Sequence, residues 1–151
     1  MSDTAIPLCV DLDGTLTPID TLHESILSLR ARAPTALLRL PLWLSRGKAG
    51  FKREVAAHAS IDIALLPFRA DLLEWLGAEH TAGRRLVLVT AADRSIAEGV
   101  ASHLGFFSEV IASDGISNLA GEGKRRALLD RFGEKGFDYV GNEAKIGRAH
   151  V

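Results

Sequence analysis

Apolar and polar positions alternate along this chain in two different rhythms. Ile6–Val10, Leu86–Val89 and Val110–Ala112 are short unbroken apolar runs, the pattern of strands buried on both faces. The first and second of these predict strands over residues 7–12 and 86–89, and further strands are expected at 109–112 and 138–140. Between them the apolar residues recur at helical spacing. Asp20 is placed to cap a helix through residue 28, with Ile19, Leu22, Ile26, Leu27 and Leu29 on its period. Pro34 breaks that helix and opens another over 35–45, interrupted by Pro41 and ended by Gly47. Helices follow over 49–58 and 69–82, the latter closed by Gly83, with Asp62 and Pro67 marking the break between them. Two more are predicted over 93–104, stopped by Gly105, and over 122–132.

Strand–helix–strand alternation implies an α/β fold, a Rossmann-like parallel sheet flanked by helices with right-handed crossovers. The stretch from Thr17 to Pro67 is too long for a structureless loop and is expected to be a helical insert. The base would then consist of residues 1–16 and 69–144, and the insert of residues 17–68.

At 151 residues the chain is long enough for one domain with a real core. Its net charge of −1 gives no electrostatic case for nucleic acid. Cys9 is the only cysteine, so no disulfide and no thiolate metal site is available, and it reads as a small buried hydrophobe. The N-terminus lacks a signal-peptide pattern, and no apolar run is long enough to span a bilayer, so a cytoplasmic setting is the expectation.

The first strand runs straight into Asp11-Leu12-Asp13-Gly14-Thr15-Leu16-Thr17. Carboxylates at the end of a buried strand are costly unless paired or bound to a cation. Side chains two apart share a strand face, so Asp11 and Asp13 are expected to converge, and Gly14 allows backbone N–H groups to approach an anion. An Asp-rich turn that merely ends a strand is the competing reading of these residues. This run resembles the first motif of the haloacid dehalogenase-like hydrolases. Thr90, at the end of the second strand, is similar to that family's second motif, in which a hydroxyl binds phosphate; Asp93 just beyond it is placed to cap the next helix. Lys124, after Gly121-Glu122-Gly123, is similar to the third, in which a lysine offsets repulsion between anions. A P-loop is excluded, because Asn118 stands where that pattern needs Gly and Arg125 where it needs Ser or Thr. The fourth motif departs from the family, which usually has acids at the positions of Asn142 and Ile146; Asn142 retains a carbonyl oxygen for a metal, Ile146 offers nothing, and the direction of Glu143 is open.

The resemblance implies a magnesium-dependent phosphohydrolase. Asp11 would be the nucleophile and form an aspartyl-phosphate, while Asp13 would act as acid and then base. Thr90, Lys124 and Gly14 would hold the phosphate, and Mg2+ would be bound by Asp11, Asp13 and Asn142. It also implies that the helical insert is a cap. The substrate would be a small-molecule or lipid phosphate. A regulatory domain that binds a phosphorylated ligand without turnover is the alternative.

From Ser25 to Arg53 the insert carries seven basic residues and no acid: Arg30, Arg32, Arg39, Arg46, Lys48, Lys52 and Arg53. Interleaved with them is Leu37-Leu38-Arg39-Leu40-Pro41-Leu42-Trp43-Leu44. Such a segment fits an anionic membrane surface, or equally a core-facing stripe with a solvated basic face. Residues 6–144, through Thr21-Leu22-His23-Glu24, Val89–Arg94 and Phe137–Asn142, are also similar to the soluble N-terminal domain of some bacterial UbiA-like prenyltransferases, in which a polytopic membrane domain follows. That likeness implies a place at the cytoplasmic face of the inner membrane. His23, His58, His80 and His103 lack ligand spacing and, like Trp43 and Trp75, read as packing or surface residues. Finally, Ile146-Gly147-Arg148-Ala149-His150-Val151 resembles translated read-through of a sequencing adapter, so residues 145–151 are expected to be a non-native tail and the last strand of the base to be missing.

Overall fold

The computed structural model describes residues 6–59, 61–114, 122–134, 136–141 and 146–148. At its centre is β1 (Leu8–Val10), every residue of which is fully buried. β2 (Leu86–Asp93) lies on one side of it and β4 (Asp138–Val140) on the other, both parallel, with Leu8 opposite Leu86 and Asp138. β3 (Glu109–Ser113) extends the sheet beyond β2, again parallel. With β5 (Ile146–Arg148) at the far edge, the sheet order is β3-β2-β1-β4-β5.

The period of two explains why these strands show no polar alternation. Leu8, Val10, Leu86 and Leu88 face one layer, where they meet Leu76 of α4 (Ala70–Thr81) and Ala97 and Val100 of α5 (Arg94–Leu104). Cys9, Val87 and Val89 face the other, against Leu128 of α6 (Glu122–Phe132) and Phe137. Both faces are covered, so both sets must be apolar. Burial pushes the Cys9 thiol up to about 12, with Glu109 adding to the rise, so it serves as packing and not as a nucleophile. At the opposite edge from the carboxyl ends, Arg84 ties the strands together: its Nε donates to the Ile6 carbonyl at 3.2 Å and it pairs with Asp138.

Between β1 and β2 the chain builds α1 (Thr21–Arg32), a 3-10 turn over Pro34–Arg39, α2 (Leu40–Leu44), α3 (Gly47–His58) and a 3-10 turn at Ile63–Leu65. The first four enclose a core of their own, Leu29, Trp43 and Val55, with Leu22, Ile26, Leu37, Leu40 and Phe51 packed on it. His58 stacks on Trp43 with ring centroids 4.7 Å apart, and His103 on Phe68 at 6.1 Å.

Three elements differ from the pattern-based expectation. The helix expected over 35–45 is a 3-10 turn followed by a five-residue helix. Pro41 cannot donate a backbone hydrogen bond, and here it sits in the first turn of α2, where none is required. Gly47 does more than stop a helix: its φ of +85° turns the chain and it is also the first residue of α3. Ile146–Arg148, within the stretch expected to be a non-native tail, forms β5, antiparallel to β4, because the outer edge of β4 offers unpaired N–H and C=O groups to whatever chain follows; this pairing does not bear on whether the stretch is native. Among the described residues no helix is long and apolar enough to cross a membrane.

Leu88 is fully buried between β1 and the α4–α5 layer. Leu88→Ala is expected to cost about 2–5 kcal/mol of stability; urea unfolding measures it, and a loss below about 1 kcal/mol would show that this layer is not close-packed.

Candidate functional site

The site is built where β1 ends. The Asp11 N–H donates to the Val140 carbonyl at 3.0 Å, which carries the β1–β4 ladder one residue past the strand. The chain then folds into a tight loop. Gly14, at φ +77°, donates to the Thr17 carbonyl at 2.7 Å, while Thr15 and Thr17 donate to the Leu12 carbonyl at 3.1 and 3.3 Å. Leu12 and Leu16, both fully buried, anchor that loop in the core.

Asp11 is only 8% exposed, so its charge requires a partner. Lys124 Nζ, from the first turn of α6, donates to Asp11 Oδ1 at 3.0 Å, and the Leu12 N–H donates to the same oxygen at 2.8 Å. Burial works against the Lys124 charge, but Asp11 and Tyr139 outweigh it and hold the ammonium above its usual pKa. Tyr139 is itself pushed up, by burial first and then by Asp11, with Lys124 pulling the other way. Its ring requires Gly141 beside it, because a Cβ there would fall 2.4 Å from the ring edge.

Asp13 takes a different direction. Its Oδ1 accepts from the Thr21 N–H at 3.0 Å, at the start of α1, next to the N-cap Asp20. Burial raises the Asp13 pKa; the Thr21 hydrogen bond opposes this, and the charges of Asp20 and Asp11 add to it. The two acids thus differ in setting: Asp13 is drawn above its ordinary pKa by burial, while Asp11 is paired with an ammonium.

Thr90 lies on β2 two residues past Leu88, the partner of Val10, and so occupies the same sheet edge as Asp11. It is fully buried, and its Oγ1 accepts from the Ala92 N–H at 3.0 Å. Asp93 caps α5 through the Ser95 N–H at 3.1 Å. Asn142, Glu143 and Gly121 lie outside the described residues. The structure thus joins Asp11 directly to Lys124, seats Gly14 and Thr90 at the same edge, and turns Asp13 toward the helical insert.

Pattern alone does not single out Lys52. Its neighbours Arg30, Arg32, Arg39, Arg46, Lys48 and Arg53 are exposed, whereas Lys52 is half-buried. From α3 its Nζ donates to the Ala91 carbonyl at 2.9 Å, so a side chain of the insert reaches the carboxyl end of β2. Burial lowers its pKa, against the pull of Asp13 and Asp20. Lys52 and Asp13 share the wall of a cavity of about 170 Å³ between the insert and the base, with Asp20, Thr21, Ser25 and Asp93. One half-buried lysine among six exposed cations leaves no trace in sequence spacing.

Among the described residues no three His, Cys, Asp or Glu side chains gather in one cluster. Magnesium asks less than that, being commonly held by one or two carboxylates together with phosphate oxygens and waters. Among the described residues, the Lys124 and Leu12 hydrogen bonds to the Asp11 carboxylate both use Oδ1 and not Oδ2, and the residues present fit such an ion.

Residues 8–141 match the family described as haloacid dehalogenase-like hydrolase. A curated relative, the uncharacterized protein y4nM of Sinorhizobium fredii, is 40% identical over 143 residues, which is 94% of this chain and 27% of the relative. This chain therefore spans about a quarter of that protein's length. Among solved structures, a predicted phosphoglycolate phosphatase from Haemophilus somnus superposes with a TM-score of 0.58 at 16% identity, covering 92% of this chain and 77% of that one. A HAD family hydrolase from Salmonella enterica serovar Typhi gives 0.59 at 11% identity, over 91% and 57%. A protein of unknown function from Bordetella pertussis gives 0.56 at 18%, over 91% and 81%. At these identities the likeness is one of fold.

The raised Asp13 pKa has a consequence for stability. The folded state holds that proton more tightly than the unfolded chain, so the contribution is present below the ordinary carboxylate range and is lost as pH rises through the raised value. In magnesium-free buffer, Asp13→Asn is expected to remove that loss and to be at least as stable as the parent at neutral pH. Urea midpoints measured across the acidic to neutral range check it, and a variant weaker than the parent at neutral pH would refute it.

Proposed function

We propose that this chain, which belongs to the haloacid dehalogenase-like hydrolases, is a magnesium-dependent phosphohydrolase acting through an aspartyl-phosphate on Asp11. The observation that supports it most is the 3.0 Å contact of Lys124 Nζ with Asp11 Oδ1 between residues 113 positions apart. A buried carboxylate paired with an ammonium at the carboxyl end of a central parallel strand is placed to attack a bound phosphate.

An Asp11 carboxylate oxygen forms a bond to phosphorus while the bond to the leaving oxygen breaks in line. Asp13, protonated at the outset, gives its proton to that leaving oxygen. It then takes a proton from the water that attacks the aspartyl-phosphate, which frees inorganic phosphate and restores Asp11. Lys124 and the Thr90 hydroxyl hold the phosphoryl oxygens; the Gly14 N–H, expected to join them, is instead taken by the Thr17 carbonyl and shapes the loop. Magnesium, when held by the Asp11 carboxylate, the Asp13 backbone carbonyl and Asn142, would neutralise charge on the phosphoryl group. The leaving group enters the cavity that Asp13 shares with Lys52, which makes Lys52 a residue that senses it.

Asn142, standing where the family usually has an acid, favours a second reading, a domain that binds a phosphorylated ligand without turnover. For the substrate and the whole protein, the finer reading is a lipid-linked or prenyl phosphate handled by the N-terminal part of a UbiA-like membrane prenyltransferase. The exposed leucines of the insert support it, as does the greater length of the curated relative. Membrane spans encoded downstream of Ala144 would bear it out, and a gene without them would remove it.

Turnover of an aryl phosphate with magnesium separates enzyme from binding module. Asp11→Asn is expected to lower kcat by roughly 10³-fold or more, and chelation of magnesium to abolish turnover; an Asp11→Asn variant that still turns over rules out Asp11 as the nucleophile. Lys52→Ala is expected to raise KM by roughly 10-fold, the worth of one charged hydrogen bond, with a smaller effect on kcat. An unchanged KM across a panel of phosphate esters would detach Lys52 from the leaving group.

A further inference from the structure

The leucines of the insert divide into two sets. Leu37 and Leu40 pack with Trp43 on the core that Leu29 and Val55 complete, which is the inward stripe a helical hairpin requires. Leu38, Leu42 and Leu44 do not join it: they are 83%, 59% and 58% exposed. Between and beside them stand Arg39, Arg46 and Lys48, also exposed, on a stretch that carries no acid before Glu54. Arg46 pairs with Glu54 at 2.5 Å.

This exposure is held in place by the fold. Trp43, 3% exposed and stacked on His58, fixes α2 from below, and Pro41 shapes its first turn. Three large apolar side chains kept in water cost free energy that burial against an occupant would recover. The chemistry of the tip selects the occupant. A positive, acid-free surface calls for an anionic one. Nucleic acid would engage an aromatic face, and the tryptophan of this segment is turned inward. Projecting leucines ringed by Arg and Lys match the boundary between acyl chains and anionic headgroups.

We propose that the tip of the helical insert, residues 38–48, docks on an anionic lipid surface, with Leu38, Leu42 and Leu44 entering the headgroup boundary and Arg39 and Lys48 contacting lipid phosphates. The docking is independent of turnover at Asp11, so failure of either reading leaves the other standing.

Flotation of the 151-residue chain with vesicles of phosphatidylcholine alone, or mixed with phosphatidylglycerol, tests it. Binding is expected only to the mixed vesicles and to fall with added salt. The double variants Leu38→Glu/Leu42→Glu and Arg39→Glu/Lys48→Glu are each expected to weaken binding by on the order of tenfold or more. These positions are exposed, so thermal melting of both variants should match the parent. No flotation with either vesicle overturns the proposal. Flotation that survives the leucine variant overturns insertion. A chain that is dimeric in sizing experiments, and made monomeric by the leucine variant, assigns the tip to a second copy and overturns the lipid reading.

Discussion

A lysine ammonium from near one end of the chain and a carboxylate from near the other meet at the carboxyl edge of the sheet, and both are largely withdrawn from water. Neither is tolerable there alone. Removing one partner of a buried pair typically costs about 3–5 kcal/mol, because the survivor remains desolvated and unpaired. The pair therefore constrains what surrounds it. α6 must begin where Lys124 can reach Asp11, and β4 must sit beside β1 so that the Val140 carbonyl holds the Asp11 backbone at 3.0 Å. Gly141 must remain without a side chain so that Tyr139 can lie against the same group of charges. The electrostatics separate the two acids as well: Asp11 is bound to a cation, whereas burial draws Asp13 toward its neutral form.

The insert has an apolar core of its own, while Ile19, Ile61, Ile63 and Leu66 at its two ends join the main core of the base, and its helices meet the site through polar contacts. Asp13 accepts from the start of α1, Lys52 donates to the end of β2, and Arg53 donates to the Asp114 carbonyl at 2.8 Å. Hydrogen bonds of this kind are individually modest in water and readily exchanged for solvent. The apolar ends fix the insert to the base, and the polar contacts are confined to the edge of the sheet where the cavity lies.

Legibility in the sequence followed the range of the interactions. Leu86–Val89 announces itself because a strand covered on both faces has no reason to alternate, and the parallel α/β architecture follows from such runs separated by helices. Asp11, Asp13 and Gly14 stand out because their geometry is local, within one strand end and one loop. Residues 35–45 were harder: apolar spacing favours one helix, and only the position of Pro41 within the first turn of α2 shows why the chain restarts there. Tyr139 reads as an ordinary strand residue, and Lys52 as one of a run of surface cations. What distinguishes each of them is the direction of a side chain across the fold, which depends on packing between segments far apart in sequence. The split of the leucines is of the same kind, since Leu37 and Leu38 are neighbours in sequence and opposite in environment.

The central position of β1 also bears on how the protein is made. Its hydrogen-bonding neighbours on both sides are the strands that begin at Leu86 and Asp138, so the first strand to leave the ribosome is flanked only by strands translated much later. At about 5–20 residues per second, the nascent Leu8–Val10 segment waits several seconds for its first partner and longer for its second. During that interval an apolar, edge-exposed segment is a target for holdase chaperones and for pairing with the wrong chain. A topology of such non-local strand pairs also places this domain among slow folders, whose yield is governed by the kinetics of translation as much as by the stability of the finished sheet.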